Sequence, residues 1–371
     1  MTRNEVNATD GAFSTAGQNH PLKTVALALS GGIDSALSAY LLIKEGFQVI
    51  GLHADFGFSP ESPIPWLEKL TSFLKIPLEI FPLKEIFQQK VVDYFISEYV
   101  LGRTPNPCVI CNPEIKFGLL FQKGLSLGAD LFATGHYARI VPAPWGEGLT
   151  IARGQDRTKE QSYFLHRVMP QNLKQILFPL GTWTKAQVRT LAREIGLPMN
   201  PKGESQDICF LPKGGYREFL LKQNPPDLIR SGDIMDMHGI KQGAHQGLFA
   251  YTIGQRRGLG LPAAEPYYVV RMEPDRNRLI IGTKKDLESA GCVLSDFHFL
   301  SRPPEIDGLE VLVQVRYRHK PAKAVLRVGD DQRLRVHFQS PQAAVTPGQA
   351  AVIYWRDQVL GGGWIGETWQ E

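Results

Sequence analysis

A short turn near the start of the chain, Ser30-Gly31-Gly32-Ile33-Asp34-Ser35, has the residue types of a phosphate-binding loop. Two glycines let the backbone come close to an anion, and the N–H groups that open the following helix point toward it. Ser30 and Ser35 can add hydroxyl donors, whereas Asp34 beside a phosphate must hold the loop or bind Mg²⁺. No G-x-x-x-x-G-K-[ST] sequence occurs, so this is not a Walker loop.

The same turn has a rival interpretation as the nucleophile elbow of a hydrolase. Ala28-Leu29-Ser30-Gly31-Gly32 nearly fits G-x-S-x-G between a strand and a helix. That interpretation needs Ala in place of the first Gly, followed by an acid and then a histidine. His136 and His166 come early, and neither follows an evident acid at a strand end. We therefore prefer the interpretation as a phosphate loop. It is also better supported than a structural turn with no chemical role.

The cysteines form a second group of reactive residues. Cys108 and Cys111 make a C-x-x-C in a loop stiffened by Pro105 and Pro107, which leaves the two sulfurs little conformational entropy to lose. Alone, this pair is compatible with a redox couple, half of a zinc site or two iron–sulfur ligands. There is no second C-x-x-C and no H-x-x-x-H, so a complete structural zinc site is not expected. Cys209 lies in the polar stretch Gly203–Phe210, and Cys292 is expected to be a buried small hydrophobe.

Alternating strands and helices are predicted to position these residues. The expected strands are Thr24–Leu29, Phe47–Ala54, Pro77–Phe81 and Leu131–Thr134, and the expected helices are Ala36–Glu45, Leu83–Tyr99 and Phe117–Leu127. This alternation is typical of an α/β domain with a doubly wound parallel sheet covered on both faces.

The pattern changes after about residue 215 to short alternating runs separated by Gly, Pro or Asp. These runs are Tyr267–Arg271, Leu279–Ile281, Val311–Tyr317, Ala324–Val328, Leu334–Phe338 and Ala350–Tyr354. The sequence thus predicts a disordered tail (1–21), an α/β catalytic domain (22–215), a small mostly-β central domain (216–289) and a β-barrel-like domain (290–371).

Composition limits the class of protein. Of 371 residues, 43% are hydrophobic and 21% charged, which is normal for a folded globular protein and excludes disorder and coiled coil. No 18-residue apolar run is present, and the polar first twenty residues resemble neither a signal nor a transit peptide, so a cytoplasmic location without a membrane is expected. The net charge of +4 is mild, but basic residues cluster at 251–285 and 311–328.

Taken together, the motifs resemble those of one family. SGGIDS, TPNPCVICNPEIKFG, ATGHYAR, KEQSYFL, GESQDICF, YTIGQRRGLG, VRYRH and TPGQAAV occur in this order. From about Lys23 onward the chain is similar to the bacterial tRNA-specific 2-thiouridylases (the MnmA family), whose SGGxDS loop belongs to the ATP pyrophosphatases. The resemblance implies that ATP, with Mg²⁺, adenylates the C2 oxygen of the wobble uridine in the tRNAs for Lys, Glu and Gln. Sulfur then replaces this oxygen.

The resemblance also implies residue roles. ATP would be bound by Ala28, Leu29, Ser30, Gly31, Gly32, Ile33, Asp34, Ser35, Ala54 and Gly135. Cys111 corresponds to the nucleophile and Cys209 to the persulfide carrier, which would form a disulfide after sulfur delivery. The tRNA would contact Asn106, Pro107, Cys108, His136, Lys159, Glu160, Gln161, Arg316, Tyr317 and Gln349.

One position departs from a widespread form of the family, which has Asp where this chain has Cys108. Three thiolates, those of Cys108, Cys111 and Cys209, could instead hold a [4Fe–4S] cluster with one iron open to sulfide. Our hypothesis from the sequence is that this cluster is real and that the disulfide is its oxidised form.

Several alternatives stay open from sequence. The sulfur donor is either a cysteine desulfurase or a relay protein, and a monomer is the default state. The rival functions are a different ATP pyrophosphatase acting on a small molecule, and a non-catalytic RNA-binding or iron–sulfur carrier module.

Overall fold

A computed structural model describes residues 23–58, 62–198, 208–223, 228–262 and 265–370. The expected tail (1–21) and residues Gly203–Asp207 of the stretch before Cys209 lie outside the described residues. Among the described residues, no helix combines the length and the apolar character that crossing a bilayer requires.

The described chain contains seventeen strands and eight α-helical segments. The strands are Thr24–Ala28 (β1), Gln48–Asp55 (β2), Leu78–Pro82 (β3), Leu131–Ala133 (β4), Ala138–Pro142 (β5), Leu149–Arg153 (β6), Ile176–Leu177 (β7), Gly232–Met235 (β8), Lys241–His245 (β9), Tyr268–Glu273 (β10), Arg278–Gly282 (β11), Glu288–Phe299 (β12), Glu310–Gln314 (β13), Ala322–Val328 (β14), Leu334–Ala343 (β15), Ala350–Trp355 (β16) and Gln358–Trp369 (β17). The helices are Ile33–Lys44 (α1), Ile64–Leu74 (α2), Lys84–Phe87 (α3), Asp93–Val100 (α4), Pro107–Cys111 (α5), Phe121–Ser126 (α6), Lys185–Glu194 (α7) and Gly215–Gln223 (α8).

The first sheet is parallel and has the order β3-β2-β1-β4-β7. Its central strand β1 carries Val25, Ala26 and Leu27, which are completely buried, as expected for a strand covered on both faces. The strand order reverses at β1, which makes the carboxyl end of this strand the place where α/β sheets bind ligands. The predicted doubly wound α/β domain is confirmed.

The helices beside the sheet contain two π-helical segments. The predicted helix Leu83–Tyr99 is observed as α3 and α4 joined by π-helical Gln88–Val92. The predicted helix Phe117–Leu127 begins earlier, because α5 and α6 are joined by π-helical Asn112–Leu120 into one helical run from Pro107. π-Helical turns often occur at functional sites, and this one begins next to Cys111.

The last domain is a closed six-stranded barrel, because β12 pairs with β15 on one side and with β17 on the other. The intervening order is β15-β14-β13-β16-β17. Cys292 lies on β12 and is fully buried among the barrel's apolar side chains, in agreement with the prediction. The central domain is a four-stranded sheet in the order β10-β11-β8-β9. The predicted succession of α/β, small β and barrel domains is therefore confirmed.

A hairpin of the catalytic region, β5 with β6, joins the barrel rather than the parallel sheet. β6 continues the barrel sheet beside β17, with Ala152 opposite Gln358. Thr150 donates a hydrogen bond of 2.6 Å to the carbonyl of Val359, and Arg139 forms an ion pair with Asp357. This hairpin fastens the first domain to the last.

The sequence periodicity located six later strands but missed β8, β9, β12 and β17, whose glycines and polar residues interrupt the alternation. The predicted strand Val311–Tyr317 ends at Gln314, so Arg316 and Tyr317 lie in the turn that follows it. This difference decides where those two side chains point, because they no longer alternate with the strand.

Candidate active site

The phosphate loop lies at the carboxyl end of β1, directly before α1. Gly31 has φ +87°, a conformation that side chains other than glycine rarely adopt, and it turns the chain into the helix. Ala54, near the end of the neighbouring strand β2, lies at the same edge of the sheet. The loop thus lies between a strand and a helix, as the sequence predicted.

The two serines of the loop bond to the loop itself. The Ser35 hydroxyl accepts from the Ser30 N–H at 3.2 Å and donates to the Gly32 carbonyl at 3.0 Å. The Ser30 hydroxyl accepts from the Gly32 N–H at 3.3 Å and lies 3.2 Å from the Ser35 hydroxyl. These bonds fix the loop before any phosphate arrives, so little conformational entropy remains to be lost on binding.

Asp34 is held by two residues that the sequence analysis did not identify. The Lys185 ammonium lies 2.7 Å from both carboxylate oxygens of Asp34, and the Tyr137 hydroxyl donates to one of them at 2.7 Å. Lys185 is the first residue of α7, which begins with a capping box between Thr184 and Gln187. No sequence pattern links positions 151 residues apart. In the structure the Asp34 carboxylate holds the loop, which is one of the two roles that the sequence allowed it.

Gly135, two residues after β4, lies very close to the loop. A Cβ atom there would lie 2.9 Å from the Ser35 backbone nitrogen and 3.0 Å from the Asp34 carbonyl carbon. Only glycine fits at that distance without moving the loop. The fixed loop, its helix N-terminus and this close approach fit the triphosphate of ATP, with the N–H groups as donors to the anion.

The three predicted thiols gather in a second region, at the beginning of the helical run. Cys111 is buried in α5, Cys108 is partly exposed one turn earlier, and Cys209 is exposed. Cys209 is positioned by its neighbour Phe210, whose ring packs against Phe87 and Phe95 at centroid distances of 5.8 and 5.2 Å. Cys111 lies within electrostatic range of both other thiols.

One cation faces all three thiols. Burial raises the pKa of Cys111 to about 12 and that of Cys209 to about 11, while the charge of Lys116 acts in the opposite direction on each thiol, including Cys108. Because burial outweighs the charge of Lys116, the thiols are protonated near neutral pH, and thiolate formation limits their reactivity.

Lys116 also fixes the protonation state of His136. Its ammonium lies 3.5 Å from His136 Nε2, and an ammonium can only donate, so Nε2 is the acceptor. The proton is then on Nδ1, which donates to the Thr134 hydroxyl at 2.7 Å. Burial, together with the charge of Lys116, lowers the pKa of His136 well below its usual value. This histidine is therefore neutral and oriented between the phosphate loop and the thiols.

Cys108, Cys111 and Cys209 are the residues that would hold the [4Fe–4S] cluster expected from the sequence, since thiolates are the usual ligands of such a cluster. Within the part of the chain that the structure describes, no three His, Cys, Asp or Glu side chains are placed to bind one metal ion. Cys108, Cys111 and Cys209 are also free of disulfides.

Several residues predicted to contact tRNA lie where the first domain meets the barrel. The Asn106 side chain bonds to the hydroxyl of Tyr163, which donates to the carbonyl of Ala350 at 2.8 Å. The Gln349 amide donates to the carbonyl of Thr104, so the loop before Cys108 is tied to the barrel. Pro107 is buried as the first residue of α5.

The predicted segment Lys159-Glu160-Gln161 is mixed in character. Glu160 is buried and accepts from the backbone N–H and the hydroxyl of Ser162, whereas Lys159 is partly exposed. The Gln161 side chain accepts from the Tyr137 N–H at 3.1 Å. In this conformation, the charged group of Lys159 is more available to a ligand than that of the buried Glu160.

Arg316 and Tyr317 lie on the barrel side of the same domain boundary. The Arg316 guanidinium is largely buried and donates to the carbonyl of Ile253 at 2.9 Å and to the hydroxyl of Thr346. The Tyr317 ring packs on Phe164 with a centroid distance of 4.4 Å and lies within electrostatic range of Cys108. Arg316 thus holds two protein segments together, which the sequence analysis did not foresee.

Comparison with known proteins decides the family. Three family models match in order: the tRNA methyl transferase HUP domain at residues 23–213, the tRNA methyl transferase PRC-barrel domain at 217–283 and the aminomethyltransferase beta-barrel domain at 289–365. The chain is 42% identical over 358 residues to the tRNA-specific 2-thiouridylase MnmA of Carboxydothermus hydrogenoformans, covering 92% of this chain and 97% of that protein. This chain belongs to the tRNA-specific 2-thiouridylase family.

A second 2-thiouridylase, MnmA of Geobacter metallireducens, is 42% identical over 359 residues, covering 92% of this chain and 96% of that protein. Among solved structures, a 4-thiouridine synthetase in complex with RNA and ATP gives a TM-score of 0.38 at 18% identity, covering 54% of this chain and 50% of that chain. The 2-thiouridylase assignment rests on the sequence relatives and on the family models.

Proposed function

We propose that this protein catalyses the ATP-dependent 2-thiolation of the wobble uridine in the tRNAs for Lys, Glu and Gln, acting as a monomer in the cytoplasm. The observation that carries the proposal is the pairing of two sites: a fixed phosphate loop at the edge of the parallel sheet, and thiols that share one cation, with His136 between them. A small-molecule ATP pyrophosphatase would not need the second site.

The first half of the reaction is activation of the base. The uridine is extruded from the anticodon loop, because its C2 carbonyl is not accessible in a stacked loop. The C2 oxygen attacks the α-phosphorus of ATP, and pyrophosphate leaves into the loop of Ser30–Ser35, with Mg²⁺ balancing its charge. The oxygen becomes part of AMP, which is a far better leaving group than oxide.

The second half is sulfur transfer. A donor, either a cysteine desulfurase or a relay protein, leaves a persulfide on Cys209, whose exposure suits contact with another protein. The terminal sulfur attacks C2 and AMP leaves with the original oxygen. The Cys111 thiolate then attacks Cys209 Sγ, breaks the S–S bond to the transferred sulfur and forms a disulfide, which an external thiol reduces.

The test measures pyrophosphate release and 2-thiouridine formation in the same reaction. Cys111→Ala should abolish thiolation while leaving pyrophosphate release with cognate tRNA near the wild-type rate, and Cys292→Ala, at a buried thiol outside the site, is the matched control. If wild-type protein releases no pyrophosphate with cognate tRNA, the proposal fails. Equal loss of both products in Cys111→Ala would contradict the division into two sites.

A [4Fe–4S] cluster on Cys108, Cys111 and Cys209 is the second candidate for the sulfur step, favoured by the cysteine at position 108. Its test is the iron and acid-labile sulfide content after anaerobic reconstitution. About four of each, lost on Cys108→Ala but not on Cys292→Ala, would favour the cluster. Full anaerobic activity of Cys108→Ala with no bound iron would leave the persulfide route.

A further inference from the structure

The segment Tyr251–Gly260 of the central domain forms a rigid loop. The Gly254 N–H donates to the Val269 carbonyl at 2.8 Å, and the Val269 N–H returns a bond to the Gln255 carbonyl at 3.0 Å. The Gln255 side chain donates to the carbonyl of Arg257 at 2.9 Å. Positive φ angles at Gly254 (+88°) and Gly258 (+78°) allow the turns that these bonds close.

Arginines from two neighbouring units fix the position of this loop. Arg217 of α8 donates to the carbonyl of Ala250, at one end of the loop. Arg316, after β13 of the barrel, donates to the carbonyl of Ile253. The loop is therefore held in place against both the barrel and the helix that follows the Cys209 segment.

Two exposed arginines, Arg256 and Arg257, stand on this fixed loop without an opposite charge. Nowhere in the described ranges does an acidic side chain form an ion pair with either of them. By contrast, Arg271 pairs with Glu273 at 3.0 Å, and Arg327 pairs with Asp307 at 3.1 Å. Two adjacent unneutralised guanidinium groups on a rigid support suit a polyanion.

The location of the loop links it to the thiol site. Arg316, which holds the loop, is followed by Tyr317, and Tyr317 lies within electrostatic range of Cys108. When the base of a nucleotide reaches Cys108, the phosphates of its backbone stay outside the pocket. Phosphates of the same strand on the barrel side of this base would face the surface around Tyr317 and the loop.

We infer that Arg256 and Arg257 form a phosphate-binding surface of the central domain, which contacts the sugar–phosphate backbone of the tRNA anticodon arm. The inference rests on the proposed function, and it adds a contact region outside the residues that the family resemblance assigns. The arginines bind backbone phosphates, so they contribute affinity and orientation rather than base recognition.

The experiment measures the dissociation constant of cognate tRNA at several salt concentrations. Each phosphate contact contributes about 0.7 to 0.9 to the slope of log affinity against log salt. Arg256→Gln/Arg257→Gln should therefore reduce the slope by about 1.5 and weaken binding about 10-fold at low salt. Pyrophosphate release at saturating tRNA should stay near wild type.

The control is Lys323→Gln/Arg327→Gln, which also removes two positive charges, from the exposed face of β14, one of which pairs with Asp307. Arg256→Lys/Arg257→Lys, which keeps both charges, should restore most of the slope and exclude misfolding as the cause. An unchanged slope in the Gln variant, or an equal change in the β14 control, would overturn the inference. Absence of salt-dependent tRNA binding by the wild type would instead refute the proposed function.

Discussion

The phosphate loop and the thiol site differ in how much of their chemistry is prepared in advance. In the loop, the serine hydroxyls and the Asp34 carboxylate already have partners, and the backbone N–H groups at the start of α1 remain for the ligand. At the thiol site, burial holds the cysteines in their protonated, unreactive form despite the nearby charge of Lys116.

This difference suits the order of the two half-reactions. Adenylation can proceed as soon as ATP and the base are bound, since its electrostatic environment is preformed. A permanently ionised cysteine would react with any oxidant or electrophile before the base was activated. A protonated thiol with one cation close by becomes nucleophilic only when it loses its proton, in the second half-reaction.

The largest effect should come from removing the cation that holds the phosphate loop. Lys185→Met leaves the Asp34 carboxylate unneutralised beside the incoming triphosphate, so we expect pyrophosphate release to fall about 100-fold. Persulfide loading of Cys209 should not change, because it takes place in the other region. Lys222→Met, which removes a lysine from an exposed ion pair with Glu218, is the control. Equal damage to persulfide loading would show that the two regions are not separable.

A smaller effect is expected from the cation of the thiol site. Lys116→Met removes the charge that lowers the thiol pKa values; a rise of one pKa unit cuts the thiolate fraction about 10-fold. Because the folded-state pKa of Cys111 lies near 12, the rate of single-turnover thiolation should rise with pH throughout pH 7 to 10 in both proteins, with the variant about 10-fold lower at each pH.

Two readouts separate this effect from a structural one. Lys116→Arg should recover most of the thiolation rate, and pyrophosphate release should be unaffected in either variant. If the wild-type thiolation rate does not change between pH 7 and 10, the thiols lose their protons on substrate binding and not in response to the pH of the solution.

The smallest effect should come from a single hydroxyl of the phosphate loop. Ser35→Ala removes the acceptor of the Ser30 N–H, and a hydrogen bond of about 1 kcal/mol corresponds to roughly a 5-fold increase in the KM for ATP. Ser38→Ala in the same helix is the matched control, because its hydroxyl bonds only to the Asp34 carbonyl of its own helix. If both variants behave alike, the loop does not depend on preformed side-chain bonds.

The two regions also differ in how far they could be predicted. The phosphate loop is continuous in sequence, and its glycines and flanking strand and helix place it at the sheet edge without further information. Lys185 and Tyr137 could not be found this way, because their pairing with Asp34 depends on how α7 and the end of β4 pack. The cysteines were identified by type and spacing, but their burial and their common neighbour Lys116 depend on the tertiary structure.

The later domains show the same limit for strands. Regular alternation was enough to find β10 and β14, whereas β17, with Gly361, Gly362 and Gly363, has little alternation to detect. Glycine is required there because the chains approach closely; a Cβ on Gly361 would lie 2.1 Å from the carbonyl oxygen of His298. Close packing of this kind removes the side-chain pattern on which strand prediction depends.

The attachment of the β5–β6 hairpin to the final strand has a consequence for biosynthesis. Thr150 and its partner Val359 are 209 residues apart, so at about 5 to 20 residues per second the hairpin waits roughly 10 to 40 s for its neighbour to leave the ribosome. Throughout that interval the unpaired edge of β6 is exposed in a nascent chain whose parallel sheet can already form. Translation speed and chaperone binding therefore bear most directly on this hairpin, and a nascent chain stalled before Gln358 should be the aggregation-prone species.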